Sequence, residues 1–315
     1  MSRRKRIFFI LRIVASAVML AVLLPRVHLS SLIPRSSTAL AWLAAGVLTW
    51  MAAVLLATLR WQRVLVAIEL PEDLPPLLSH SMAALFVSNF LPSTIGGDVL
   101  RVTRLSAGNG NMPGSFASVV IERLTGFVVL PMITLAALVS EPALLRLGTA
   151  SRISLLLSAG TLLALAGILV LASNPRGKRL AENENWLRFA GAVHLGIEQL
   201  RRQPSAALAI IGTAIAYQMT IVLAAWMAAH ALNIHLGWAA AMAFIPVVAM
   251  AQVLPVSVMG LGLREGALVL LLTPLGVPAG QAVALGLLLY GMNLTVSLIG
   301  APAFAVGTRP VRATA

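Results

Sequence analysis

Charged and helix-breaking residues interrupt an apolar sequence between residues 89 and 101, which read NFLPSTIGGDVLR. Asp98, Arg101 and Arg104 follow one another at intervals of three, which places them on one face if this part is helical. Gly96 and Gly97 precede them, and exposed backbone N–H groups at such a helix start attract anions. Because arginine presents a fork of donors that matches phosphate oxygens, the stretch predicts a phosphate-headgroup site.

A weaker copy of this pattern lies at residues 254–265, which read LPVSVMGLGLRE. In both stretches a Gly follows the Pro by five residues and an Arg follows it by nine. Transporters often place discontinuous helices at corresponding points of two halves, with substrate between them. The repeat favours a single membrane domain over 1–315, with degenerate repeat halves at about 1–150 and 151–315.

Opposite charges also stand side by side at Glu122-Arg123, inside an apolar run. Adjacent residues do not face each other on a helix, so each should need a partner elsewhere. We expect Glu122 to pair with Arg101 or Arg264. We expect Arg123 to pair with Asp98 or Glu265.

These charges have two interpretations. A charge at the centre of a membrane costs about 3 kcal/mol even on lenient scales, so it needs a partner or a wet cavity. The charges could pair only with each other and fix the packing, or they could line a polar path. On the second interpretation the substrate-binding residues are Asn89, Pro92, Gly97, Asp98, Arg101, Arg104, Glu122, Arg123, Pro255, Gly260, Arg264 and Glu265.

Composition determines the class of protein. The chain has 315 residues, of which 59% are hydrophobic and 10% charged, with a mean hydropathy of +0.93. Soluble domains carry about 25% charged residues. The chain is therefore predicted to be an all-α, polytopic membrane bundle. Long apolar runs without alternation argue against an outer-membrane barrel.

The net charge of +13 does not indicate a nucleic-acid partner, because Lys and Arg cluster at the ends of apolar runs. This distribution is a membrane-topology signal. Six basic residues fall within 173–205 and none within 231–237, and residues 2–6 read SRRKR. The bias predicts a multi-pass protein with its N-terminus and C-terminus in the cytoplasm. There are no cysteines, no histidine grouping suggests a metal, and no cofactor is predicted.

Apolar runs of about 20 residues are long enough to cross the hydrocarbon. Two further segments are interrupted, near 77–97 and 255–276, and we expect each to be broken or re-entrant beside an internal cavity. About eight transmembrane segments (6–8) result. Residues 182–203 have apolar side chains at helical spacing, which predicts an amphipathic helix on the cytoplasmic surface. The clear spans are 7–24, 39–59, 116–139, 153–172, 206–230, 238–256 and 281–304.

The chain resembles the flippase-like membrane domain of the lysylphosphatidylglycerol synthase family over about 7–304. The resemblance is carried by Asn89, Leu91-Pro92, Gly97-Asp98, Arg101, Glu122-Arg123, Pro255, Gly260-Leu261-Gly262 and Arg264-Glu265. It implies a plasma-membrane (bacterial inner-membrane) protein that moves or handles a lipid with a polar headgroup. The best-known member carries a soluble aminoacyl-transferase domain, which this sequence lacks, so synthase activity is not expected.

Three functional hypotheses remain open. The first is a translocase, not an enzyme, for a phosphate-bearing lipid: a phospholipid, an aminoacylated lipid or a polyprenyl-phosphate glycolipid. The second is a membrane-embedded transferase on a polyprenyl-phosphate or phospholipid substrate, which would need a base and often a metal between carboxylates. The third is a non-transporting scaffold for an envelope biosynthetic enzyme. Membrane lipids with an anionic or phosphate-bearing headgroup are the expected partners.

Overall fold

The computed structural model describes residues 36–90, 96–173, 202–254 and 260–305, together with residue 257 and parts of 14–25 and 191–199. Within these ranges the secondary structure is helical and contains no β-strand. The prediction of an all-α membrane bundle is confirmed. The helices are α1 Ser37–Ala67, α2 Leu74–Phe90, α3 Gly96–Asn109, α4 Met112–Ser140, α5 Thr149–Ser173, α6 Pro204–Ala231, α7 Trp238–Gln252, α8 Leu263–Leu272, α9 Ala279–Leu298 and α10 Ala301–Ala305.

Five helices in the described part of the chain are long and apolar enough to cross a membrane: α1, α4, α5, α6 and α9. Shorter apolar helices occupy Val14–Leu23 and α7. The span expected at 238–256 ends early, at Gln252. A proline follows Leu254 in the sequence, and the residue before a proline disfavours helical backbone. The expected span at 39–59 instead continues to Ala67 and carries Arg60 inside the helix.

The first interrupted segment forms a helical hairpin, in which α2 and α3 pack against each other. α2 begins with two prolines in its first turn, where the missing N–H groups are not needed. The two helices approach each other closely at Gly97. A side chain there would lie 2.6 Å from the carbonyl oxygen of Ala84. Gly97 thus has a packing role at the start of α3, whether or not it also binds a ligand.

The second interrupted segment contains α8, which has 10 residues and packs against α7. α8 is followed by a 3-10 turn at Thr273–Leu275 and by Gly276 in the left-handed region, at φ 85°. The described part of the segment near 255–276 thus consists of a short helix and a turn. Most of the predicted amphipathic helix at 182–203 lies outside the described residues. In its described part Val193 is buried and Glu198 is exposed, and the amphipathic helix stays a prediction.

The chain forms two compact units, each assembled from three chain segments. One unit comprises Met1–Met51, Leu130–Thr161 and Met219–Thr295, and its buried side chains include Phe244 and Leu268. The other, called here the arginine unit, comprises Ala52–Val129, Leu162–Gln218 and Val296–Ala315. The core of the arginine unit is an apolar cluster that contains Trp61, Leu65, Leu77, Leu105 and Ile121. The division into repeat halves stays a prediction.

The close contact at Gly97 gives a test of the hairpin. We expect Gly97→Ala to lower the free energy of unfolding by about 1–3 kcal/mol, because the added methyl group overpacks against a backbone carbonyl that cannot rotate away. Gly108→Ala is the matched control in the same helix, since no atom lies within 4 Å of its added Cβ. This control should raise stability by about 0.5–1 kcal/mol. Thermal unfolding in detergent compares the two, and equal midpoints would contradict the packing at Gly97.

Candidate functional site

One carboxylate in the arginine unit holds two buried arginines. Glu122, on α4, accepts from Arg101 on α3 through Oε2 at 3.0 Å and from Arg60 on α1 through Oε1. The side chains of Arg60, Glu122 and Arg101 are 7%, 5% and 12% exposed. Three helices that are separate in sequence are therefore joined by one acid.

A second ion pair extends this group toward the surface. Arg123 contacts Asp98 through its Nε, and Asp98 also lies 3.8 Å from Arg101. The Arg123 side chain is 46% exposed, so this is the accessible side of the group. The predicted pairs Glu122–Arg101 and Arg123–Asp98 are both confirmed. Arg60, Asp98, Arg101, Glu122 and Arg123 are called the arginine cluster below.

Aromatic rings and a glycine complete the walls around the two inner arginines. The guanidinium of Arg101 lies 4.0 Å from the centroid of Trp61, and that of Arg60 lies 4.9 Å from the centroid of Tyr217. Such stacking favours arginine over lysine. Gly126 leaves room for Arg60, whose Nη1 would lie 3.2 Å from a Cβ at that position. The geometry thus presents the guanidinium groups in fixed orientations.

Sequence reasoning missed Arg60, Trp61 and Tyr217. The span predicted at 39–59 ends just before Arg60 and leaves it outside the membrane segment, although apolar residues continue after it at Val64 and Leu65. That continuation was the available signal that the helix, and the buried environment, extended past Arg60.

Several buried nitrogen atoms in this region have no hydrogen-bond partner among the described residues. They are Nε of Arg60, Nε of Arg101 and Nδ1 of His80. Burial, and then the positive charges of Arg104 and Arg101, lower the pKa of His80 to about 4. His80 lies on α2, outside the five candidate spans, and is neutral at pH 7. The unsatisfied arginine donors therefore mark a place where an acceptor-rich group would be stabilised.

Arg104 has a different environment from Arg101. Its Nη1 and Nη2 donate to the carbonyl oxygens of Ala303 and Phe304 at 2.9 and 3.0 Å. These carbonyls belong to the last residues of α10, which packs on α2. The fork of Arg104, predicted as a phosphate ligand, thus caps the carbonyl end of a helix.

The second motif forms a closed pair. Arg264 donates to Oε1 of Glu265 through Nε at 3.1 Å and Nη2 at 2.9 Å, and Oε2 of Glu265 accepts from the backbone N–H of Gly262 at 2.7 Å. Arg264 and Glu265 therefore pair although they are adjacent in sequence, which the rule for helix interiors does not predict. Glu265 is the third residue of α8 and turns back to the helix start, where the first-turn side chain of Arg264 can reach it.

The remaining predicted residues have local roles or lie outside the described part of the chain. Asn89 is buried and donates to the carbonyl oxygen of Leu85 at 3.1 Å. Gly260 adopts φ 74° against the side chain of Gln252. Pro92 and Pro255 lie outside the described residues. No group of three or more His, Cys, Asp or Glu side chains that could hold a metal occurs in the part of the chain that the structure describes.

Removing the charge of Glu122 tests its role at the centre of the cluster. We expect Glu122→Gln to lower the free energy of unfolding by about 3–5 kcal/mol, because two arginines would then lose their buried counter-charge. The control is Glu198→Gln, which removes an exposed pair with Arg202. Such surface pairs contribute about 0–1 kcal/mol. Thermal unfolding in detergent should separate the two variants clearly, and similar midpoints would argue against a central role for Glu122.

Comparison with known families supports the membrane assignment. The family model described as the lysylphosphatidylglycerol synthase TM region matches residues 9–300. Searches of curated proteins and of solved structures gave no match. Because the family model covers nearly all of the 315 residues, the chain belongs to the family of the lysylphosphatidylglycerol synthase transmembrane region.

Proposed function

We propose that this chain binds a phosphate-bearing lipid headgroup at the arginine cluster and moves it across the plasma membrane, with its termini in the cytoplasm. The observation that carries the proposal is the buried pair Arg60–Arg101, which shares the single carboxylate of Glu122. If the charges served packing alone, we would expect equal numbers of positive and negative charges and a partner for each buried donor. Arg264 and Glu265 come closer to this arrangement, because one base pairs with one acid.

The chemistry of the cluster suits a phosphate. Guanidinium groups donate two parallel hydrogen bonds to phosphate oxygens, and their rigid forks make the binding directional. In a bilayer, ionisable residues inside a bundle commonly mark the path of a charged substrate. The headgroup would follow the polar side chains while the acyl chains stay in the lipid. Membership of this family supports a membrane protein concerned with lipids.

Transport by the purified protein in liposomes tests the proposal. Headgroup-labelled phospholipids are reconstituted with the protein, and the fraction accessible to a membrane-impermeant quencher is followed over time. We expect faster exchange than in protein-free liposomes. Arg101→Gln should reduce the protein-dependent rate about tenfold or more, which corresponds to a rise of about 1.4 kcal/mol or more in the activation free energy of headgroup crossing.

The matched control is Arg146→Gln, which removes the same charge from an exposed position in the 3-10 turn Pro142–Arg146. Its rate should equal that of the wild-type protein. The proposal fails if wild-type protein exchanges every lipid tried at the protein-free rate. It also fails if Arg101→Gln and Arg146→Gln behave alike in folded, equally reconstituted protein.

A further inference from the structure

A pocket with a volume of about 130 Å³ lies between the start of α1 and the turn that follows α6. It belongs entirely to the unit whose core includes Phe244 and Leu268, and it shares no residue with the arginine cluster. A single water needs about 10–15 Å³ of such volume, so the pocket accommodates a small organic group. Its polar and aromatic lining residues are Ser36, Thr38, Trp42, His230, Asn233 and His235.

The aromatic wall of this pocket is held in place by neighbouring rings. The indole centroid of Trp42 lies 5.6 Å from that of Trp226, edge to face, and 5.3 Å from the imidazole centroid of His230. Trp226 is fixed in turn, because its Nε1 donates to the carbonyl oxygen of Leu236 at 2.8 Å. Trp42 is therefore an ordered, flat apolar surface, and a ligand that packs on it does not have to immobilise it.

The polar groups of the pocket are hydrogen-bonding groups. Nδ1 of His230 lies 2.9 Å from the carbonyl oxygen of Trp226, and because a carbonyl only accepts, Nδ1 carries a proton and Nε2 remains for a ligand. Oγ of Ser36 accepts from the backbone N–H of Ala39 at 3.1 Å and keeps its own hydrogen for donation. Asn233 is exposed and adds an amide that both donates and accepts. The described lining contains no Asp, Glu, Lys or Arg side chain.

The end of α6 sets the position of Asn233. Its backbone has φ 55°, in the left-handed region that asparagine tolerates better than most residues. Its backbone N–H donates to the carbonyl oxygen of His230 at 3.0 Å, and that of Ile234 donates to Ala229 at 2.9 Å. These two bonds close the carbonyl end of the helix, so the amide of Asn233 is held at the pocket by the helix cap.

We infer that this pocket binds one uncharged polyhydroxyl ring, the chemistry of a sugar. The C–H face of the ring packs on the indole of Trp42, and its hydroxyl groups exchange hydrogen bonds with Asn233 and His230. A cation or an anion would find no opposite charge among the Asp, Glu, Lys and Arg side chains, since none lines the described pocket. Residues 231–237 contain no Lys or Arg, so on the orientation proposed above the sugar binds on the side opposite the cytoplasm. The inference does not depend on lipid transport.

Ligand-observed NMR with the full-length protein tests the inference in a polyoxyethylene detergent, which carries no sugar. The probes are the methyl glycosides of glucose, galactose, mannose and N-acetylglucosamine. We expect saturable transfer of magnetisation from the protein to at least one of them. Choline and inorganic phosphate are the charged competitors. If either displaces the bound glycoside as readily as an excess of the same glycoside does, the pocket is not selective for an uncharged ring and the inference is overturned.

Two substitutions place the binding in the pocket. Trp42→Leu removes the indole surface, and Asn233→Gly removes the amide while glycine keeps the left-handed backbone. Each should raise the Kd of the glycoside about tenfold. The control is Trp50→Leu, which removes an indole from the same helix outside the described lining and should leave the Kd unchanged. Among variants that thermal unfolding shows to be folded, a Kd in Trp42→Leu or Asn233→Gly equal to that of the control contradicts the site.

Glycolipids distinguish a headgroup sugar from a free one. Native mass spectrometry counts the binding of monoglycosyl diacylglycerols of the same four sugars, relative to diacylglycerol with the same acyl chains. Excess binding of a glycolipid that Asn233→Gly abolishes, without binding of the methyl glycosides, supports a lipid headgroup as the source. Binding of methyl glycosides without excess glycolipid supports a free sugar. If neither the glycosides nor the glycolipids bind, the inference is overturned, whatever the liposome exchange rates show about the arginine cluster.

Discussion

The structure of the arginine unit depends on one buried carboxylate. One carboxylate oxygen of Glu122 forms an ion pair with Arg60 on α1, and the other forms an ion pair with Arg101 on α3. Neither arginine could stay buried without it, because an ion out of water needs a partner. The helix that carries Glu122 is long and apolar, so its position is fixed independently by burial. The carboxylate is therefore the fixed point around which the two guanidinium groups are arranged.

The two copies of the Pro–Gly–Arg pattern have different structures. Around Arg101 the charges are unequal and two arginine Nε donors lack acceptors among the described residues. Around Arg264 the acid and the base pair with each other, and the acid also caps its own helix. The same spacing of residues thus produces one group that joins three helices and one in which adjacent residues pair within a single helix.

The sequence was sufficient for the class of fold and for part of the site. Apolar runs indicate helices because only helices satisfy their backbone within a membrane-spanning segment, and the pairs of Glu122 and Arg123 followed from their adjacency on a helix. Arg60 could not be placed in the same way, because its role depends on the contact between α1 and α4, 62 residues apart in sequence. The pairing of Arg264 with Glu265 was missed because the spacing rule describes helix interiors, whereas these residues lie in a first turn.

Arg104 couples the end of the described chain to the site. Its Nη1 and Nη2 donate hydrogen bonds to the carbonyl oxygens of Ala303 and Phe304 in α10. Arg101 lies one turn earlier on the same helix, α3. Two side chains of this short helix therefore make contacts at different places. Arg104 is bonded to α10, and Arg101 is bonded to the carboxylate of Glu122. A displacement of α10 by even one ångström would therefore be passed to the guanidinium of Arg101. The carbonyl end of α10 thus bears on the charge geometry of the cluster through Arg104 and α3.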